Sequence, residues 1–281
     1  MNSSDKPAKQ NFHPRISVSQ ISAFNWSLEQ MLAFWSAEGI ETAGFLHFKL
    51  EPDVEASIEA IKRSGLRPSC VVAGAMNGAL ISAVEDNGAQ ALAGLSAGID
   101  AASALSAPCY FTSGITPPRM TTDDAYAMLV HALGPVVDHA RARNVRLALE
   151  HNSTSTRNNG FIHTLSDAVD LSRDTGVGIC LELQNCWMER HLDRMFRENV
   201  DRFVIAQVSD FLVGEEPRLN RRVPGDGSMP LEWMLQRLLD AGYEGLFEIE
   251  VLGPRIEEEG YESAIRRSVD WLSSRLSSWG A

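Results

Sequence analysis

The sequence predicts a single (β/α)8 TIM barrel. Three observations carry this: strand-like and helical runs alternate from Arg15 to the C-terminus, eight strand-like runs can be counted, and no GxGxxG or GxxxxGK[ST] follows the first of them. Strict alternation means parallel strands joined by right-handed crossovers, and eight units favour closure over an open sheet. At 281 residues the chain suits one α/β barrel. Residues 1–14, polar and carrying two prolines, read as a flexible tail, leaving 15–281 as the barrel.

The elements follow in order. Strands are expected at residues 16–21, 43–48, 68–73, 108–112, 145–150, 177–182, 203–209 and 246–251. Helices are expected at 27–38, 53–64, 122–143, 165–174, 191–198 and 231–241, with Met128, Leu129, Ala132, Leu133 and Val136 marking the apolar face of the longest. Gly39, Gly65, Gly176 and Gly242 fall just past helices, where a left-handed cap is wanted. The segment 74–107 is the least patterned; its helix is expected to start near Gly78 or Ser82 and to break around Gly94–Gly98. The Ala, Gly and Ser content of the stretch from Gly88 to Pro108, with Asp100, speaks for burial in a soluble core rather than a membrane span.

Composition narrows the function. A net charge of −12, from 37 acids and 25 bases, repels phosphate backbones and anionic membranes, so neither nucleic acid nor membrane is expected as a partner. Cys70, Cys109, Cys180 and Cys186 form no CxxC pair and no zinc spacing, which fits a cytoplasmic protein with free thiols.

In a parallel barrel, alternate residues point inward and the C-terminal ends of the strands line the site. Applied to the last four strands, that parity ends them on Glu150, Glu182, Gln207 and Glu250. One strand-end acid is often a solvated rim residue; four aligned strands favour a site. Three converging carboxylates need a cation or protons. With an amide oxygen beside them they form a hard donor set, suited to Mg²⁺ or Mn²⁺ more than Zn²⁺.

The segments LALEHN, GICLELQNCW, VIAQVSDF, RRVPGDGSMP and AGYEGLFEIEVLGP resemble, in order and spacing, the second half of the xylose isomerase-like barrels, which include sugar isomerases, ketose 3-epimerases and inosose dehydratase. The resemblance implies a divalent metal held by Glu150, Glu182, Gln207 and Glu250, with Glu182 where Asp is usual and Gln207 where His is usual. It implies Glu150 and Glu250 as acid and base, Asn185 in place of a substrate-binding His, and Arg222 as an anchor for substrate oxygens, with Arg218 and Arg221 competing. It also suggests Trp187 or Trp26 as an apolar pocket wall, with core packing as the alternative.

Other residues have weaker claims. Lys49 and His47 share a parity at the end of strand two and are expected inward near the mouth if Phe45 is core, although a lysine more often snorkels to solvent. His151 and Asn152 directly follow Glu150 and are candidate pocket residues, ahead of Arg157 and His163. Asp210 is expected either to organise the loop after strand seven or to act in the site, and Glu248 to pair with Arg146.

The expectation is a metal-dependent isomerase or epimerase acting on a small sugar, polyol or hydroxy-ketone by proton abstraction beside a carbonyl. A lyase or dehydratase would share the enolate step. A metal-free binding or partner subunit is the rival of another class, favoured by Gln207 and opposed by the intact Glu150 and Glu250. Metal-dependent DNA repair on the same fold calls for several histidines in the metal site and a basic groove, and the strand ends here carry Glu and Gln on an acidic chain instead. The resemblance leaves a homo-oligomer open.

Overall fold

The computed structural model describes residues 12–73, 89–116, 118–156, 159–215 and 219–281. Eight parallel strands close in sequence order into one barrel: β1 (Ile16–Ser19), β2 (Thr42–Leu46), β3 (Arg67–Val72), β4 (Cys109–Thr112), β5 (Leu147–Glu150), β6 (Gly178–Glu182), β7 (Phe203–Val208) and β8 (Phe247–Ile249), with β8 pairing back onto β1. The helices are α1 (Leu28–Glu38), α2 (Val54–Ser64), α3 (Ala89–Ala104), α4 (Thr122–Ala142), α5 (Leu165–Thr175), α6 (Leu183–Cys186), α7 (Leu192–Asn199), α8 (Leu231–Asp240), α9 (Pro254–Glu259) and α10 (Tyr261–Trp279).

Local signals explain the element ends. Ser27 and Gln30 form a capping box that satisfies two amides at the start of α1. Gly39, Gly65 and Gly176 end α1, α2 and α5 with left-handed φ of 79°, 78° and 76°, a region costly for other residues. The expected break near Gly94–Gly98 is corrected: α3 runs unbroken through both glycines, because its packed neighbours outweigh the roughly 1 kcal/mol helix penalty of each. The start expected near Gly78 or Ser82 lies outside the described residues. So do positions 1–11 of the expected tail, whereas His13 already donates its backbone N–H to Ser273 Oγ at 2.9 Å.

Two apolar layers hold the fold. Outward strand residues such as Phe45, Leu149, Ile179 and Phe247 pack against the helices. Inside the barrel a smaller cluster of Leu46, Cys70, Val72, Tyr110, Ala148, Cys180 and Ile205 fills the middle, so the barrel is a core and not a pore. Below Glu250, Glu248 is fully buried and accepts from Ser69 Oγ at 3.0 Å and Cys70 Sγ at 3.3 Å. A Cβ on Gly44 would stand 2.1 Å from Glu248 Oε1, so glycine at that strand position is what admits the carboxylate. The expected pairing with Arg146 does not form: Arg146 donates to the Asp201 carbonyl at the opposite barrel end. All four cysteines are free and buried, and among the described residues no helix is long and apolar enough to cross a membrane.

Candidate functional site

Alternation along β5 to β8 turns Glu150, Glu182, Gln207 and Glu250 to the inside of the barrel at its C-terminal mouth, where they meet. Glu150 and Glu250 line a cavity of about 380 Å³; Glu182 and Gln207 sit behind them without exposure. Glu182 is fixed on its other side, accepting the Gln184 amide at 3.0 Å as the N-cap of α6.

The cation in this cluster is Arg221. Its Nη1 lies 2.6 Å from Glu182 Oε2 and 2.9 Å from Glu250 Oε1, and donates to the Glu250 carbonyl at 2.8 Å. Burial works against this guanidinium, yet Glu182, Glu250 and Glu150 together hold its pKa above the usual value. Gln207 turns its amide nitrogen to Tyr110 Oη at 2.9 Å and to the Glu250 carboxylate. Burial, then repulsion from Glu250 and Glu182, pushes Glu150 well above the ordinary carboxylate range. Burial likewise pushes Glu250 up to about 7, with Arg221 pulling the other way.

These donors do not fit a divalent ion as they stand. A guanidinium occupies the space between the carboxylates that an ion would share, and Gln207 presents N–H rather than oxygen to Glu250. Among the described residues no group of three His, Cys, Asp or Glu side chains has metal-holding geometry.

The other expected site residues divide. Asn185 lines the cavity and donates to the His151 carbonyl at 2.6 Å. Arg222 is corrected: its side chain turns from the mouth to Glu215 and Asn220, and its neighbour Arg221 enters instead. His151 is fully buried but outside the described lining, because the residue after inward Glu150 must point the other way. Trp187 packs on the helical layer, the alternative reading of that residue. Lys49 also lies outside the described lining: Phe45 faces the helices, β2 stops at Leu46, and a single 3₁₀ turn takes Lys49 Nζ onto the Phe24 carbonyl. Trp26 stacks edge-on against Phe34 and Tyr261. Asp210 organises its loop, accepting from Phe211 N at 2.8 Å, Gly225 N at 3.0 Å and Met229 N at 3.2 Å. Arg157 and Arg218 lie outside the described residues.

Sequence reasoning missed Tyr110 and the apolar side of the cavity, built from Ile21, Phe24, Leu46, Phe48 and Val72. Inward parity at the ends of the first four strands, the same signal used on the last four, picks out Leu46, Val72 and Tyr110.

Residues 32–275 match the family described as xylose isomerase-like TIM barrel. The chain belongs to that family. No curated protein matches it by sequence. Among solved structures, a protein from Sinorhizobium meliloti 1021 superposes on this xylose isomerase-like barrel with a TM-score of 0.82 at 19% identity, covering 92% of this chain and 96% of that one. An IOLI protein with a bound zinc atom gives 0.77 at 15% identity, with coverages of 94% and 98%. An L-ribulose 3-epimerase gives 0.74 at 17% identity, covering 95% of each chain. At these identities the likeness concerns the fold.

Proposed function

We propose that this xylose isomerase-like barrel is an isomerase or epimerase that moves a proton on the carbon beside the carbonyl of a hydroxy-ketone, sugars and polyol derivatives included. One observation carries this reading. Glu150, at the end of β5, and Glu250, the residue after β8, line one cavity, and burial raises the pKa of both carboxyls. Glu250, pushed up to about 7, serves as base or acid with little cost either way. Glu150, raised in the same direction, stands beside the same cavity as its counterpart, so one can take the proton and the other return it. Arg221 supplies fixed positive charge for the oxygen of the developing enolate. Its Nε–H is buried without a partner, and an unmet donor of that kind costs about 1–3 kcal/mol. Gln207 holds Glu250 in place through its amide N–H. The epimerase among the structural neighbours is consistent with such chemistry. The Mg²⁺ or Mn²⁺ ion expected from the sequence has no part here, because Arg221 stands where the carboxylates would share it.

Solvent deuterium tests the reading. Incubation with a panel of ketoses, inososes and simpler hydroxy-ketones in D₂O should place deuterium on carbon beside the carbonyl of the substrate, read by proton NMR. A substrate that turns over without carbon-bound label, and does so undiminished in Glu150→Gln and Glu250→Gln, overturns it.

A further inference from the structure

We infer that the cavity takes an uncharged hydroxy-ketone with one apolar face, a ring or hydrocarbon chain, rather than a phosphorylated or fully hydroxylated sugar. This concerns the cavity discussed above, but it rests on the lining and not on the proton transfer. The two sides of the cavity differ in kind. On the β5 to β8 side stand Glu150, Asn152, Gln184, Asn185, Arg221 and Glu250, rich in donors and acceptors, with Leu219, Leu252 and Pro254 also in the lining beyond the strand ends. On the β1 to β3 side stand Ile21, Phe24, Leu46, Phe48 and Val72, whose side chains offer none. A hydroxyl set against that wall would lose its water without gaining a partner, whereas a hydrocarbon face would gain from leaving water.

The wall is a built surface. Phe24 and Phe48 keep 40% and 39% exposure, and their rings lie 6.3 Å apart at an interplanar angle of 51°. Lys49 fixes that lip, binding the Phe24 carbonyl while its Nζ sits 4.7 Å from the Phe24 ring centroid. Large apolar rings left open beside convergent polar groups mark a surface meant to be covered by ligand.

Charge excludes anions. Arg221 is the sole base in the described lining, and Glu182 and Glu250 already share its charge. Glu150, Glu250 and Glu257 stand around the same space. Within the described lining a phosphate or carboxylate would meet more acid than base, and the one base there is already paired with two carboxylates.

Calorimetry with three probes separates the possibilities without turnover, so the proton-transfer reading can fail while this one stands. The probes are hydroxytetralone, fructose with the same number of non-hydrogen atoms, and fructose phosphate. Hydroxytetralone should bind at least about tenfold tighter than fructose, and fructose phosphate no tighter than fructose. The double variant Phe24→Ala, Phe48→Ala, changed at partly exposed positions, should weaken hydroxytetralone about tenfold and leave fructose within about twofold. Circular dichroism checks that it folds. Tighter binding of fructose or its phosphate, no binding of hydroxytetralone at its solubility limit, or equal losses for both neutral probes in the variant would each overturn the inference.

Discussion

Arg221 Nη1 lies 2.6 Å from Oε2 of Glu182, a side chain with no exposure at all, and this contact neutralises the acidic mouth of the barrel from within. Removing one partner of a buried pair leaves the other charge stranded, at a cost of about 3–5 kcal/mol. Arg221→Met should therefore lose stability of that order in urea unfolding at pH 8. The loss should shrink at pH 5, where Glu250, which titrates near 7, has taken up a proton. A loss below about 1 kcal/mol at pH 8 would mean that the guanidinium is not what holds these carboxylates together.

The same contact sets the metal behaviour. Wild-type protein should show no stoichiometric Mn²⁺ binding by electron paramagnetic resonance, because the ion would have to displace Arg221 from both carboxylates. Arg221→Met combined with Gln207→His removes the competitor and supplies an imidazole, so it should bind Mn²⁺ at least about tenfold more tightly and gain melting temperature as Mn²⁺ is added. Stoichiometric Mn²⁺ on the wild type would contradict this account.

How far the sequence led can be seen in Glu150 and Arg222. Period-2 alternation in a barrel strand has one core-facing answer, so the inward direction of Glu150, Glu182, Gln207 and Glu250 was legible from residue types alone. Alternation fails where the strand stops. Lys49 left its expected side because β2 ends at Leu46 and a 3₁₀ turn intervenes. Arg221 and Arg222 sit in a loop whose course depends on Asp210 gathering three amides, a long-range arrangement that no local pattern announces. The counter-charge for the carboxylates was expected from Coulomb's law alone, but its chemical identity depended on that loop.

His151 makes the fold acid-sensitive. Burial lowers its pKa from 6.5 to about 4, so between those values the unfolded chain binds a proton that the folded chain refuses. Its contribution to stability is full above pH 6.5 and is lost as pH falls through 4, amounting to about 3 kcal/mol at one pKa unit per 1.36 kcal/mol. His151→Gln should flatten that limb in urea titrations from pH 7 to 4. An unchanged slope would show that other groups set the acid limit.

Glu248 acts with the opposite sign. Burial raises its pKa from 4.5 to about 6, so the folded state holds the proton more tightly, and stability present below pH 4.5 is lost as pH rises through 6. Glu248→Gln removes the buried charge, keeps an acceptor for Ser69, and should stabilise the protein by about 2 kcal/mol at pH 8 but little at pH 4. Equal effects at both pH values would mean that packing, not ionisation, dominates the change.

Glu150 and Glu250 should be separable by rate and by pH. Each glutamine variant keeps volume and hydrogen-bonding capacity but cannot exchange a proton, so each should slow deuterium incorporation by about 10²–10⁴-fold. Binding of an inert hydroxy-ketone should change far less, since neither substitution alters the shape of the cavity that both residues line. In the wild type the free-enzyme rate profile should carry an inflection near pH 7 from Glu250. If Glu250 is the base, the rate rises through that inflection; if it is the acid, the rate falls. The sign of the slope thus assigns the two roles, and the residual activity of Glu250→Gln should lose the inflection while that of Glu150→Gln keeps it. An inflection that survives in Glu250→Gln would belong to another group and would remove Glu250 from the proton-transfer pair.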